Sequence, residues 1–216
     1  MKLLTDNYRH QAASWPKHGR QILAQYDADS IVVYQAYRPE IGHFAAENGY
    51  FGGEFSLNRM SWIKPNFLWM MYRSGWGTKE GQEVTLAVRI RRSGFDTILS
   101  QAVPSSYWPH LFTSTEEWQR AGASSDVRLQ WDPDHDPHGE KLERRAIQLG
   151  MRGDILASYA RDWIIEIEDI SEFVAEQRKL IENGELEKLN TPSEAIFPVG
   201  NDIAGQIGIE TRQDTP

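Results

Sequence analysis

The chain has 216 residues, of which 40% are hydrophobic and 25% charged, with a formal net charge of −8. That is enough apolar chain for one sizeable core, and the acidic balance argues against wholesale binding along a phosphate backbone. Cysteine is absent, which excludes disulfides, thiol catalysis and thiolate metal sites, and no apolar run approaches the ~20 residues of a membrane span, so a reducing cytoplasm is the expected location.

Residues 7–25 read as a helix broken at Pro16. Ile31 to Tyr37 is rich in β-branched and aromatic residues and reads as a strand. It closes on Tyr34, Gln35, Tyr37 and Arg38, groups that hydrogen-bond, stack and carry charge, and so suit a ligand better than a core. The plainer alternative is a strand edge with Arg38 paired to Glu40. Pro39 to Glu47 follows as a short helix, with Pro in its first turn and Gly49 as its stop. Lys64-Pro65 then opens a second, aromatic-rich helix that runs to about Ser74 and ends at Gly75. Trp62, Phe67, Trp69 and Met70 suit the core, whereas Ser61 and Lys64 fall at the helix start, where free N–H groups favour an anion.

From Val84 to Arg92 the residues alternate, with Val84, Leu86, Val88 and Ile90 against Thr85, Arg89 and Arg91, as in a half-buried strand. Leu99 to Ala123 reads as helix with loops, and Trp131 to Gly139 as a loop dense in turn formers. Asp132, Asp134, His135, Asp136 and His138 are oxygen and imidazole donors, but their spacing matches no standard metal loop, so a solvated turn is favoured and no metal site is assigned. His135 is the histidine best placed for acid–base work. Arg144 to Arg152 alternates again, with Ile147, Leu149 and Met151 on one face. Arg144, Gln148 and Arg152 share the other, a row that fits phosphates or, equally, pairs with Glu166 and Glu168 of the next strand. Gly153 to Arg161 is a short helix, Trp163 to Ile170 a strand introduced by Asp162, and Ser171 to Asn183 a helix ended by Gly184.

Few strands, separated by helices without βαβ rhythm or a Gly-rich phosphate loop, predict an α+β fold with largely antiparallel sheets. A single domain is expected over residues 1–199, with a flexible tail over 200–216.

Three strings, Val33 to Pro39, Lys64 to Trp76 and Arg145 to Gly153, resemble a microbial and fungal family, the domain of unknown function DUF4291, over roughly Asn7 to Val199. That family brings no established reaction. The order of polar-ended strand, helix, Gly49-Tyr50-Phe51, second helix and acid-led late strand is similar to the ADP-ribosyltransferase fold, whose enzymes hold NAD between two small antiparallel sheets. The resemblance implies Gln35 at the first-strand position, with Arg38 beside it, Ser61 or Tyr72 at the second, and Asp162 or Glu166 as the acid. Gln35 departs from the usual His or Arg, and Asp162 from the usual Glu.

The expected function on that resemblance is an ADP-ribosyltransferase-like enzyme using NAD or another ADP-containing nucleotide. Gln35, Tyr37, Asp162 and His135 are the catalytic candidates, with Asp162 stabilising an oxocarbenium-like transition state. Tyr34, Arg38, Ser61, Lys64, Arg144, Gln148 and Arg152 are the candidate ligand contacts. The acceptor is left open, a nucleic acid included, and no membrane partner is expected. The alternatives are a nucleic-acid phosphotransferase or hydrolase built on the Arg row with Asp134 and His135, and a non-catalytic nucleotide- or partner-binding module.

Overall fold

The structure, a computed structural model, describes residues 3–209. The chain opens with β1 (Thr5–Asn7) and α1 (Tyr8–Ser14), whose N-terminus is capped by the Asn7 side chain accepting from Arg9 and His10 N–H. Pro16 ends that helix, and two short strands follow in place of a second helical half: β2 (Gly19–Arg20) and β3 (Leu23–Ala24). β4 (Ser30–Tyr37) and α2 (Pro39–Asn48) fall where the pattern places them, with Gly49 in the left-handed conformation that only glycine adopts cheaply. Next come β5 (Ser61–Ile63), α3 (Phe67–Ser74), β6 (Val84–Arg91), α4 (Arg92–Ser100), β7 (Ala102–Pro104) and α5 (Thr115–Ser124). β8 (Val127–His135), β9 (Lys141–Met151), α6 (Gly153–Arg161), β10 (Ile164–Asp169) and α7 (Ser171–Glu182) make up most of the second half. β11 (Asn190–Pro192), β12 (Ala195–Ile196) and α8 (Asn201–Ile207) complete it.

The fold is α+β. One antiparallel sheet has the order β10–β6–β4, and its register sets Gln35 opposite Leu86 and Glu166 opposite Arg89. A second, five-stranded sheet is organised on β9, and two-stranded pairs β1–β11 and β12–β3 flank these. β8 runs antiparallel along one edge, with β7 parallel to β8, while β5 (antiparallel) and β2 (parallel) share the other edge. The two sheets meet through one rung, in which Tyr34 N donates to Lys64 O at 2.7 Å and Lys64 N donates to Tyr34 O at 3.2 Å. A large apolar cluster that includes Val33, Leu86, Val88, Phe95, Leu149 and Leu156 lies on one face of β4 and β6. A smaller one, with Tyr34, Phe67, Leu68, Met71, Ala87 and Val174, lies on the other.

Several sequence expectations change here, each for a tertiary reason. β6 is buried on both faces rather than half-buried, because it is the middle strand and both clusters cover it. α3 begins at Phe67 rather than at Lys64, with Asn66 as the cap, since Lys64 is held in the rung with β4. The segment expected as a loop from Trp131 is strand as far as His135, and the turn is confined to the following residues, where Asp136 accepts from the N–H groups of His138 and Glu140. β10 pairs with β6 and not with β9, so the anticipated Arg144–Glu166 ladder does not form.

The early and late segments bind to each other. β1 pairs with β11, Gln11 Nε2 donates to Thr191 Oγ1 at 3.0 Å, and Trp15 Nε1 donates to Glu194 O at 2.9 Å. Of the expected tail, Asn201–Ile207 is helical, with Ile207 buried against the core, and residues 210–216 lie outside the described residues. Among the described residues no helix is long and apolar enough to cross a membrane.

Candidate functional site

Past the Tyr34–Lys64 rung, β4 and β5 stop exchanging main-chain hydrogen bonds, and side chains span the gap. Alternation on β4 puts Gln35 and Tyr37 on the same side as Val33, facing β5. Gln35 Nε2 lies 2.7 Å from Tyr37 Oη, 3.0 Å from Ser61 Oγ and 3.2 Å from Trp62 O, while Tyr159 Oη donates to Gln35 Oε1 at 2.6 Å. Tyr37 and Ser61 hydroxyls are themselves 2.6 Å apart. Burial pushes the Tyr37 phenol up to about 12, with the Ser61 hydrogen bond acting the other way. The network is therefore neutral and closed on itself. Gln35, expected to hold a ligand amide or ribose, already spends both ends of its amide as a strut.

Immediately beyond this network opens a cleft of about 530 Å³. Its walls include Tyr37, Arg38, Ser61 and Lys64 with Phe55, Trp62 and Met70 as apolar surface. Three arginines ring it: Arg38 at the start of α2, Arg59 in the segment before β5, and Arg73 in the last turn of α3. Arg38 pairs with Glu54 and lies 3.7 Å from Glu40. Arg59 and Arg73 are exposed and have no ion-pair partner among the described residues. Glu54 and Glu80 are the acids on the cleft wall. In a chain of net charge −8, this is a local surplus of positive charge.

Lys64 is the unusual member. Only 6% of it is exposed, yet no hydrogen bond or ion pair reaches its amine among the described residues. Burial, reinforced by the Arg73 charge and opposed by Asp132, lowers its pKa from 10.5 to about 7. At neutral pH a large share of it is the free amine, which accepts a proton or attacks an electrophile.

The helix start anticipated as an anion site is filled from within. Glu194, carried by the late segment, accepts from Phe67 N at 2.7 Å and from Asn66 Nδ2 at 3.1 Å. This carboxylate was missed, since a lone Glu in Thr191-Pro192-Ser193-Glu194 has no periodic signature. Arg59 and Arg73 were also not singled out, although they bracket the aromatic stretch from Met60 to Tyr72; what marks them in the fold is that neither has an ion-pair partner among the described residues.

Five candidates thus converge on one cleft: Gln35, Tyr37, Arg38, Ser61 and Lys64. The remaining six do not. Tyr34 points to the opposite face of β4, fully buried against the Phe67 ring at 5.4 Å. Asp162 is exposed at the C-cap of α6, where its N–H donates to Ser158 O. His135 stacks on Tyr72 with ring centroids 3.5 Å apart, and burial lowers its pKa. Arg144 is buried and neutralised by Asp134 at 2.6 Å, its guanidinium 5.2 Å from the Trp15 ring centroid. Gln148 donates to Gln130 and Asp132, and Arg152 to the carbonyls of Ala123 and Ser125. The Arg144–Gln148–Arg152 row is therefore occupied by intramolecular partners. Among the described residues no three His, Asp or Glu side chains gather as a metal site.

No curated protein matches the chain. The family model described as a domain of unknown function, DUF4291, matches residues 21–197, and the chain belongs to that family.

Proposed function

We propose that the cleft between β4 and β5 binds NAD or a related ADP-containing nucleotide, and that transferase-type chemistry on that ligand is done by groups of the cleft itself. The observation that carries this reading is the gathering around one cavity of Arg38, Arg59, Arg73 and a buried Lys64 whose amine has no hydrogen-bond or ion-pair partner among the described residues. Exposed Arg59 and Arg73 supply guanidinium forks for phosphate oxygens, and Phe55 and Trp62 supply flat apolar surface for a base or nicotinamide ring. A chain of net charge −8 that concentrates cations in one concavity favours a small anion over a long polyanion. Asp162 lies outside the cleft and has no place in this chemistry; the acids near the ligand are Glu54 and Glu80.

Calorimetry with NAD, ADP-ribose and GTP, with and without magnesium, tests the reading. Binding of NAD or ADP-ribose that weakens in Arg59→Ala and Arg73→Ala is the expected result. Absence of binding by either, or binding that both variants leave unchanged, overturns it.

A further inference from the structure

Lys64 has a position that structural duty alone does not explain. A lysine this buried normally has a carboxylate or several acceptors around its amine, because a desolvated charge without partners is costly. Here the main chain of Lys64 completes the rung with Tyr34, a task any residue other than proline performs, while its side chain lies on the wall of a polar cleft. The charges facing it come from every neighbouring element. Arg73 on α3 repels the ammonium, Asp132 on β8 attracts it, and Arg38, Arg59, Glu54 and Glu80 stand on the cleft wall. The cations would hold phosphates at the mouth, leaving the amine to face the part of the ligand that enters deepest.

We propose that Lys64 is a nucleophile that condenses with the reducing sugar of an ADP-ribose-type ligand, forming a Schiff base at the anomeric carbon. The inference rests on the nucleotide reading of the cleft. In the open-chain form of the sugar, the nitrogen lone pair of Lys64 attacks the aldehyde carbon, and the carbonyl π pair moves onto oxygen. That oxygen takes a proton from the nitrogen, giving a carbinolamine. Loss of the hydroxyl with the remaining nitrogen-bound hydrogen, as water, leaves a C=N bond. No oxidant or reductant enters, and the only by-product is water. An amine that is ammonium at neutral pH cannot begin this sequence. A ligand with the same diphosphate but no aldehyde, such as ADP, would bind and not react.

The test is reductive trapping. The full chain is incubated with ADP-ribose and cyanoborohydride at pH 7.5, digested and mapped by mass spectrometry, with calorimetric binding measured in the same buffer. The expected result is an adduct on Lys64 at least about tenfold more abundant than on exposed Lys17, Lys79 or Lys179, since ordinary amines are almost wholly ammonium at that pH. Excess ADP should suppress it, and Lys64→Arg should abolish it while the variant remains folded by circular dichroism. The wild-type peptide map decides the matter even if that variant fails to fold. Heat of binding without a Lys64 adduct overturns the Schiff base and leaves the nucleotide cleft standing. Absence of both overturns the two together, and adducts spread evenly over surface lysines overturn the selective role of Lys64.

Discussion

Replacing Lys64 with Met keeps an unbranched apolar stem of similar length (a thioether sulfur for the δ methylene) and removes the amine, so it probes the cost of burying that group. Between pH 10.5 and about 7 the unfolded chain holds a proton at this position that the folded chain gives up. Stability therefore falls as pH is lowered through that window, by ~1.4 kcal/mol per pH unit, and the cost is fully present below about 7. At pH 7.5 the undiscounted cost is ~4 kcal/mol; water in the cleft reduces it, leaving about 2–4 kcal/mol. Lys64→Met is expected to raise the unfolding free energy by that amount at pH 7.5 and by less than about 1 kcal/mol at pH 10. Urea titrations at both pH values, followed by tryptophan fluorescence, measure the difference. A gain of equal size at the two pH values would mean better packing rather than relief of a buried charge. A loss at both would refute the argument outright. The same variant should lose the covalent chemistry, which makes the buried amine a stability cost retained at a functional position.

Arg59→Ala and Arg73→Ala should each weaken nucleotide binding by about 1 kcal/mol, roughly fivefold, with little change in unfolding midpoint, because both side chains are exposed; calorimetry beside thermal melts separates the two effects. Asp134→Asn should cost about 3–5 kcal/mol in chemical denaturation, since it leaves buried Arg144 without its countercharge, and a cost below about 1 kcal/mol would contradict the pairing. Above pH 10 the protein should lose stability steeply. Burial raises the phenols of Tyr34, Tyr37 and Tyr159 above 10.0, so the unfolded chain ionises first and is favoured as pH rises. Tyrosinate absorbance that appears only together with unfolding would bear this out, and ionisation in the folded state would not.

Local signals in the sequence carried well wherever the chain's own neighbours decide the structure. Pro39 and Gly49 delimit α2, and the β-branched run before Tyr37 is a strand as its composition suggests. The polar end of that strand was legible as something other than a core end, and Gln35, Tyr37 and Arg38 do line the cleft. What sequence could not supply was pairing across long separations. Arg144, Gln148 and Arg152 look like a phosphate row only until Asp134, Asp132 and the Ala123 carbonyl are seen beside them. Ser61 and Lys64 were singled out for a helix dipole that in fact serves Glu194, 130 residues later than Lys64; they reach the cleft for a different reason, through β5. Asp162 leads β10 in sequence, but the fold places it at the C-cap of α6 and not on the cleft wall.

The rung between Tyr34 and Lys64 has a mechanical consequence. A sheet resists shear through successive main-chain bonds, and across this junction there is one pair, followed by the Gln35–Tyr37–Ser61 side-chain lattice. Relative twisting of the two sheets therefore concentrates at that junction, and Lys64 lies on the pivot itself. A molecule lodged beyond it would act as a splint, stiffening the joint against twist. Its arrival should be readable in the slowed hydrogen exchange of just two amides, those of Tyr34 and Lys64.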